Sequence, residues 1–556
     1  MNENVIINAD YRWYNKTDAE SSIYSIGYFW YEKKFFEKDT VSNKILAFFN
    51  AFPDIENSYE IFISEISNKF NGHFSFIISN KNITIAFVDK IRSFPVYYST
   101  GHGKKIISNS ANELQRTLEL YDVNEQALLA FRMAGYTLAG STLYKNLNQL
   151  QAGEYLVYFK KNDKIKTKRY FRYLTKKENA QEETDNYESY EDILYRVFTR
   201  LIESLRGRPA FLPLSGGLDS KLILSMLHNL GYKDIVTYSY GIKGLWDVER
   251  AKSAAEFFNI KWIYTEFKPS ETRRIFNSQI RKDFYNFASG LNSIPHVADL
   301  YSIRMLEERR LIPKDAVIIN GQTGDFLTGG HIPSIVMSDR LTSDDLCTTI
   351  IDKHFALWTN LMTEENLKTI TYQLLYQAGL KPHEEITKQQ FADYYEMLEW
   401  EERQSKHVAN GQKVYDWLGY DWRLPLWDDE LIYFWNNAPL EMKFERKFHK
   451  EFLFRHNSFP LIKKELQKSW VYMPFQLKLL NYFFAACGKL LGKNLNSSFN
   501  KYAKYFLTYA PYYTQLNYKD YLKDSYWHRS PVSYWVNSYL EEINLSNGIS
   551  NQQAES

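Results

Sequence analysis

Up to about residue 173 the apolar positions come as short runs broken by turn residues, such as Phe74-Ser75-Phe76-Ile77-Ile78 and Thr84-Ile85-Ala86-Phe87-Val88. Runs of that length between polar breaks predict strands, and so a β-rich front region. Residues 176–186 are polar and nearly free of apolar side chains, which predicts a solvated linker. Beyond it the pattern changes. Residues 211–214 are an apolar run; Leu222, Ile223, Met226, Leu227 and Leu230 follow at helical spacing; residues 235–240 are apolar again, with a helix through Phe257 after them. Apolar run alternating with helix predicts a parallel α/β sheet covered by helices on both faces. From about residue 340 helical patterns dominate, and the tail from Leu545, rich in Asn, Gly, Ser and Gln, is expected to be disordered. No internal repeat is visible.

The expected organisation is a β-rich domain over residues 1–175, an α/β domain over 190–475, a helical aromatic-rich extension over 476–545 and a disordered tail over 546–556. A chain of 556 residues is long enough for two or three cores. Its formal charge of +2 gives no field that would favour nucleic acid or an anionic membrane. The two cysteines, Cys347 and Cys487, are too far apart in sequence for a disulfide framework or a metal-spacing pair. The start lacks the features of a secretory signal, and the longest apolar candidate, residues 479–491, is short and interrupted by Asn481 and Lys489. A cytoplasmic protein without a transmembrane segment is expected. High aromatic, Asn, Lys and Ile content is what an A/T-rich coding sequence produces by itself.

The sharpest chemical signal is Leu214-Ser215-Gly216-Gly217-Leu218-Asp219-Ser220, between the first strand and first helix of the α/β region. Two glycines allow close backbone approach to phosphates, and a helix N-terminus presents N–H donors and a favourable dipole. Ser215 and Ser220 can add hydroxyl donors. Asp219 would repel phosphate unless it held a divalent cation, so Mg²⁺ is implied. The bland alternative is a Gly-Gly turn whose helix is capped by Asp219 or Ser220. Pro213 lacks a ladder donor and belongs at the strand's exit. The spacing is neither that of a Walker loop nor that of a dinucleotide fold. It resembles the S-G-G-x-D-S loop of the PP-loop ATP pyrophosphatases, which implies ATP as substrate with AMP and pyrophosphate as products.

Further segments follow the order of the asparagine-synthetase branch of that superfamily. Residues 237–241, ending at Gly241, resemble the strand the family places around adenine and ribose. Asp247-Val248-Glu249-Arg250-Ala251 resembles its D-x-x-x-A helix and reads as structural. Asn320-Gly321-Gln322-Thr323-Gly324-Asp325-Phe326-Leu327-Thr328-Gly329-Gly330-His331 resembles S-G-E-G-x-D-E-x-x-G-G-Y. That match implies Gly321 at ATP and Asp325 as the carboxylate that shares Mg²⁺ with Asp219. Gln322 stands where asparagine synthetases have a glutamate facing the acceptor; an amide can orient a substrate but cannot act as a base. Arg423-Leu424-Pro425-Leu426-Trp427-Asp428 resembles R-x-P-F-L-D, and with Pro474 as anchor Lys468 falls on the family's active-site lysine.

The front region resembles the family's glutaminase domain, in Gly72-His73-Phe74-Ser75-Phe76, in Asp89 with Pro95-Val96-Tyr97-Tyr98, and in Thr142-Leu143-Tyr144-Lys145 through Leu150-Gln151-Ala152-Gly153-Glu154-Tyr155. Asn2 replaces the nucleophilic cysteine, no cysteine precedes Cys347, and Arg92 replaces a family glycine. The fold class implied is an N-terminal-nucleophile-like β-rich domain, degenerate as a glutamine amidotransferase, then a PP-loop α/β synthetase domain with a helical extension. The function implied is a ligase that activates a carboxylate as an acyl-AMP and passes it to a nitrogen. Its acceptor is expected to be a small molecule, in particular a nucleotide-linked uronic acid of surface-polysaccharide biosynthesis. Tyr512, Tyr513, Tyr518, Tyr521, Tyr526, Trp527 and Trp535 are candidate stacking faces for sugar rings, and a helical core or coding bias explains them as well. The nitrogen donor is ammonia, an amine or a separate glutaminase. The alternatives are an intramolecular cyclase resembling lasso-peptide cyclases or β-lactam synthetases, and a non-catalytic nucleotide-binding protein. A tRNA-thiolating PP-loop enzyme would call for a basic surface and catalytic cysteines, and neither is evident.

Overall fold

The computed structural model describes residues 4–18, 20–175, 187–241, 243–455, 479, 482–483, 518–524 and 530–545. Lys468, the linker and the tail lie outside these residues, as do Tyr512, Tyr513, Tyr526 and Trp527.

The front half is built on an antiparallel sheet in the order Lys164–Arg169, Glu154–Phe159, Ile83–Val88, Asn71–Ser79, Ser22–Tyr31, Tyr14–Thr17, with Lys34–Glu37 also paired to Ser22–Tyr31. Its central strands are apolar on both faces, because the sheet is covered on both sides. Phe74, Phe76, Ile78, Ile85 and Phe87 meet helices Asp39–Asn50 and Ile55–Lys69 through Val41, Ile45, Phe49, Phe62 and Ile66. The alternate residues Ile77, Ala86, Val88, Leu156 and Tyr158 meet Ile107 of a second, four-stranded layer and Val96, just before its strand Tyr97–Ser99.

The second half carries a wholly parallel five-stranded sheet in the order Lys261–Glu266, Ile235–Gly241, Ala210–Pro213, Val317–Ile319, Asp421–Arg423. Strand order reverses between Ala210–Pro213 and Val317–Ile319, so a crevice opens beyond their carboxyl ends. Pro213 is the last residue of its strand, and the next N–H, of Leu214, donates to Tyr238 O at 2.8 Å. The fifth strand, Asp421–Arg423, was not visible in the sequence pattern, which read as helical there. It is only three residues long and pairs on one side.

Helix Pro531–Glu542 docks on the body. Trp535, Val536, Tyr539 and Leu540 are buried in the main core, Tyr539 stacks on Phe131 at 5.5 Å, and Arg281 pairs with Glu542. Trp535 and Tyr521 are therefore buried packing residues, the core alternative that the sequence left open, rather than open stacking faces. Periodicity and composition could not separate those two roles.

Candidate active site

The two motif loops meet at the reversal of strand order. The Ser215–Ser220 turn leaves Ala210–Pro213 and enters helix Leu218–Asn229, whose N-cap is Gly217 with no side chain bonded back to the first turn. The capping alternative does not hold, and the first-turn N–H groups keep the donor capacity that an anion requires. Ser215 and Ser220 are turned on each other: their Oγ atoms are 3.1 Å apart, and Ser215 N–H donates to Ser220 Oγ at 3.1 Å. Expected as phosphate donors, they brace the turn in this structure. Gly217 N–H donates to Ser215 Oγ at 3.1 Å, and Ser239 Oγ donates to Leu214 O at 2.6 Å. Gly216 N–H donates to Asp247 Oδ1 at 2.8 Å, and a Cβ at Gly216 would meet that oxygen at 2.7 Å. Buried Lys221 donates to Gly216 O at 3.0 Å; burial, with Arg250 adding to it, pushes its ammonium down to about 8.

The second loop follows Val317–Ile319. A Cβ at Gly324 would lie 2.5 Å from Asp219 Cγ and 2.7 Å from Leu426 Cδ1, so glycine is what lets this loop press on the first. The Asp325 backbone N–H lies on the side of the Asp219 carboxylate and favours its charged form. Thr323, β-branched yet at φ 73°, makes the turn between them and donates its hydroxyl to Gln404 at 3.1 Å. Gly321 rests over Ser220, where a Cβ would be 3.2 Å from Ser220 N. Asp219 and Asp325 are thus neighbours, and each has a cationic partner. Arg446 Nη2 donates to Asp219 Oδ1 at 2.6 Å, and His331 Nε2 bonds Asp325 Oδ2 at 3.1 Å while its Nδ1 bonds buried Glu399. Burial pushes the Asp219 carboxyl up, against the pull of Arg446. Burial also acts to raise Asp325, but the bond from His331 and the charges of His331 and Arg446 outweigh it and hold it at about 2. Among the described residues no cluster of three or more His, Cys, Asp or Glu forms a metal cage. Two adjacent carboxylates suit an ion such as Mg²⁺, which takes one or two from protein and the rest from phosphate and water.

A cavity of about 400 Å³ opens from these loops, lined among others by Leu214, Ser215, Gly217, Asp219, Ser220, Tyr238, Ser239, Tyr240, Asn320, Gly321 and Gln322. Gly241 stands outside that lining: its carbonyl accepts from Phe267 N–H at 2.8 Å and Tyr264 Oη at 2.7 Å. Asp247, Phe267, His296 and Asp299 join the wall, and none was singled out as a site residue from sequence. Gln322 is fixed there, its Oε1 accepting from Gln412 Nε2 at 2.7 Å and its carbonyl from Trp427 Nε1 at 3.1 Å. Nδ1 of His296 and Oδ1 of Asp299 are buried without a hydrogen-bond partner. A larger cavity, about 470 Å³, lies away from the loops between the two halves. Its Arg208, Arg423, Glu37 and Asp421 are paired among themselves, so it does not compete as the chemical centre.

Residues 205–457 match the asparagine synthase family model. No curated protein matches the chain significantly. Among solved structures, an NH3-dependent NAD synthetase from Campylobacter jejuni is similar at 12% identity and a TM-score of 0.20, over 35% of this chain and 97% of that one. A glutamine phosphoribosylpyrophosphate amidotransferase from B. subtilis is similar at 9% identity and a TM-score of 0.18, over 56% of this chain and 63% of the other. Residues 205–457, a little under half of the chain, are therefore similar to an asparagine synthase domain.

Proposed function

We propose that the protein joins a carboxylate to nitrogen by way of an acyl-adenylate, releasing pyrophosphate, at the crevice between Ala210–Pro213 and Val317–Ile319. The observation that carries this is the meeting of the two loops: an uncapped helix N-terminus and Asp219 share one corner of an open cavity, and Asp325 adjoins Asp219. ATP held there supplies the adenylyl group and the leaving pyrophosphate. Asp219 and Asp325 are the residues that would hold its Mg²⁺, and the first turn of helix Leu218–Asn229 would receive phosphate oxygens. Ser239, Tyr240 and Phe267 line the cavity on the side of the second strand and suit a nucleoside.

The carboxylate acceptor belongs on the side of Gln322, which offers donors and acceptors but no base. Gln322, which lines the cavity and is oriented by Gln412, suits a polyhydroxylated acid, which supports a nucleotide-linked uronic acid converted to its uronamide. Lys468 keeps its proposed role of steadying negative charge during amide formation.

The test supplies ATP, Mg²⁺ and UDP-glucuronate, with and without ammonium, and follows nucleotide products and product mass. AMP, pyrophosphate and an ammonium-dependent exchange of hydroxyl for amino group are expected. Accumulation of ADP would refute the adenylate route. Turnover of a peptide independent of ammonium would move the protein to the cyclase reading. Asp219→Asn and Asp325→Asn should each nearly abolish pyrophosphate release, since a two-carboxylate metal site seldom tolerates loss of either charge.

A further inference from the structure

Asp219 raises a question that the motif leaves open, namely what neutralises a buried carboxylate beside a phosphate-binding turn before any nucleotide arrives. The chain answers with Arg446. Its Nη2 donates to Asp219 Oδ1 at 2.6 Å and its Nε to Thr328 Oγ1 at 2.7 Å, so one guanidinium spans both motif loops. The side chain is only 12% exposed. Room for its stem is made by Gly330, where a Cβ would meet Arg446 Cδ at 3.0 Å and Cγ at 3.2 Å. The backbone is bent to deliver it: Glu445 and Arg446 are consecutive non-glycine residues at φ 56° and 60°. Left-handed conformation is unfavourable for such residues and persists only where surrounding contacts hold it. Gly329 packs against the Lys443 carbonyl, which fixes this segment to the second loop.

A guanidinium is always charged and carries donors in a planar fork that fits phosphate oxygens as well as carboxylates. Asp219 is also one of the two carboxylates placed to hold the nucleotide's cation. One Asp219 oxygen cannot bind an arginine and a divalent ion equally well. Taking up the ion would therefore loosen Arg446 at the point where phosphate charge enters.

Resting on the proposed nucleotide reading, we propose that Arg446 is a phosphate-binding residue, held on Asp219 and Thr328 and transferred to the pyrophosphate end of the nucleotide when Asp219 takes its metal. The exchange keeps the corner near neutral throughout. It also ties tight pyrophosphate binding to the divalent ion, because the arginine is released only when the ion displaces it.

The test is calorimetric titration of the full chain with Mg²⁺–pyrophosphate and, separately, with AMP, for wild type, Arg446→Gln and Arg446→Lys. Losing a charge-assisted bond should weaken Mg²⁺–pyrophosphate by about 10- to 100-fold in Arg446→Gln. Arg446→Lys should fall between, keeping the charge without the fork, and AMP affinity should stay within about twofold of wild type in both, which also shows that they fold. Arg446→Gln binding Mg²⁺–pyrophosphate as tightly as wild type, or more tightly, would overturn the proposal and leave the arginine a mere counter-ion for Asp219. If only Arg446→Lys folds, wild-type pyrophosphate affinity in that variant overturns the recognition by the guanidinium fork. Wild type that binds AMP but not Mg²⁺–pyrophosphate overturns the proposal alone, whereas wild type that binds neither overturns the nucleotide reading beneath it.

Discussion

His331 stands where the family pattern has a tyrosine, and it joins Asp325 to Glu399. Burial disfavours its charge, but bonds to those two carboxylates outweigh burial and raise the imidazole from 6.5 to about 9. A folded value above the unfolded one contributes stability that is full below about pH 6.5 and lost as pH rises through about 9. His331→Gln should therefore unfold at lower urea than wild type in the acidic part of that range, with the gap closing towards alkaline pH. A gap that does not change with pH would mean that the charge is irrelevant. Gly324→Ala makes a second residue-scale test, because its methyl would strike Asp219 and Leu426; a loss of about 1–3 kcal/mol in urea unfolding is expected. The glycine-rich loops were legible because their chemistry is local: Gly216, Gly217 and Asp219 are neighbours in sequence. Asp247, His296 and Arg446 reach the same corner only through tertiary packing, and as isolated letters they resemble any surface charge or core histidine.

Among elements, the segment Trp400–Val408 has π-helical turns, a geometry found mostly where side chains must be re-aimed at a site. It is continuous with helix Lys388–Glu399 and sets Glu399 towards His331, Gln404 towards Thr323 and His407 beside His296, whose ring lies 5.6 Å away. The sequence showed helical periodicity here but not the wider turns, since π-helix leaves no separate pattern of apolar spacing. Helix Pro531–Glu542 gives the element-scale prediction. Trp535 is 3% exposed in the main core, so Trp535→Ala should cost about 3–5 kcal/mol, read from urea or thermal unfolding. A loss under about 1 kcal/mol would show that the helix is not docked in solution.

At the scale of the molecule, the front half supports the site without supplying a thiol to it. The buried Cys347 thiol is pushed up to about 12 by burial, far from a nucleophile's range. Arg92 keeps a left-handed φ of 58° with its side chain buried and its Nη1 on Ser405 O at 3.4 Å. The purified chain should release no glutamate from glutamine, with or without ATP, and robust release would contradict the reading of the front half as degenerate. What the front half does provide is contact. Arg169 and Arg172 pair with Glu401 at 3.0 and 2.7 Å, and Trp400 Nε1 donates to Lys90 O at 2.9 Å. Arg423, the last residue of the outermost parallel strand, lies 4.2 Å over the ring of Tyr28 and pairs with Glu37 at 3.0 Å. That strand is therefore finished by groups encoded almost four hundred residues upstream. Its consequence is genealogical: a shuffling event that brought the two halves together from different parents would leave buried charges facing strangers. The two halves must therefore be inherited as a matched pair.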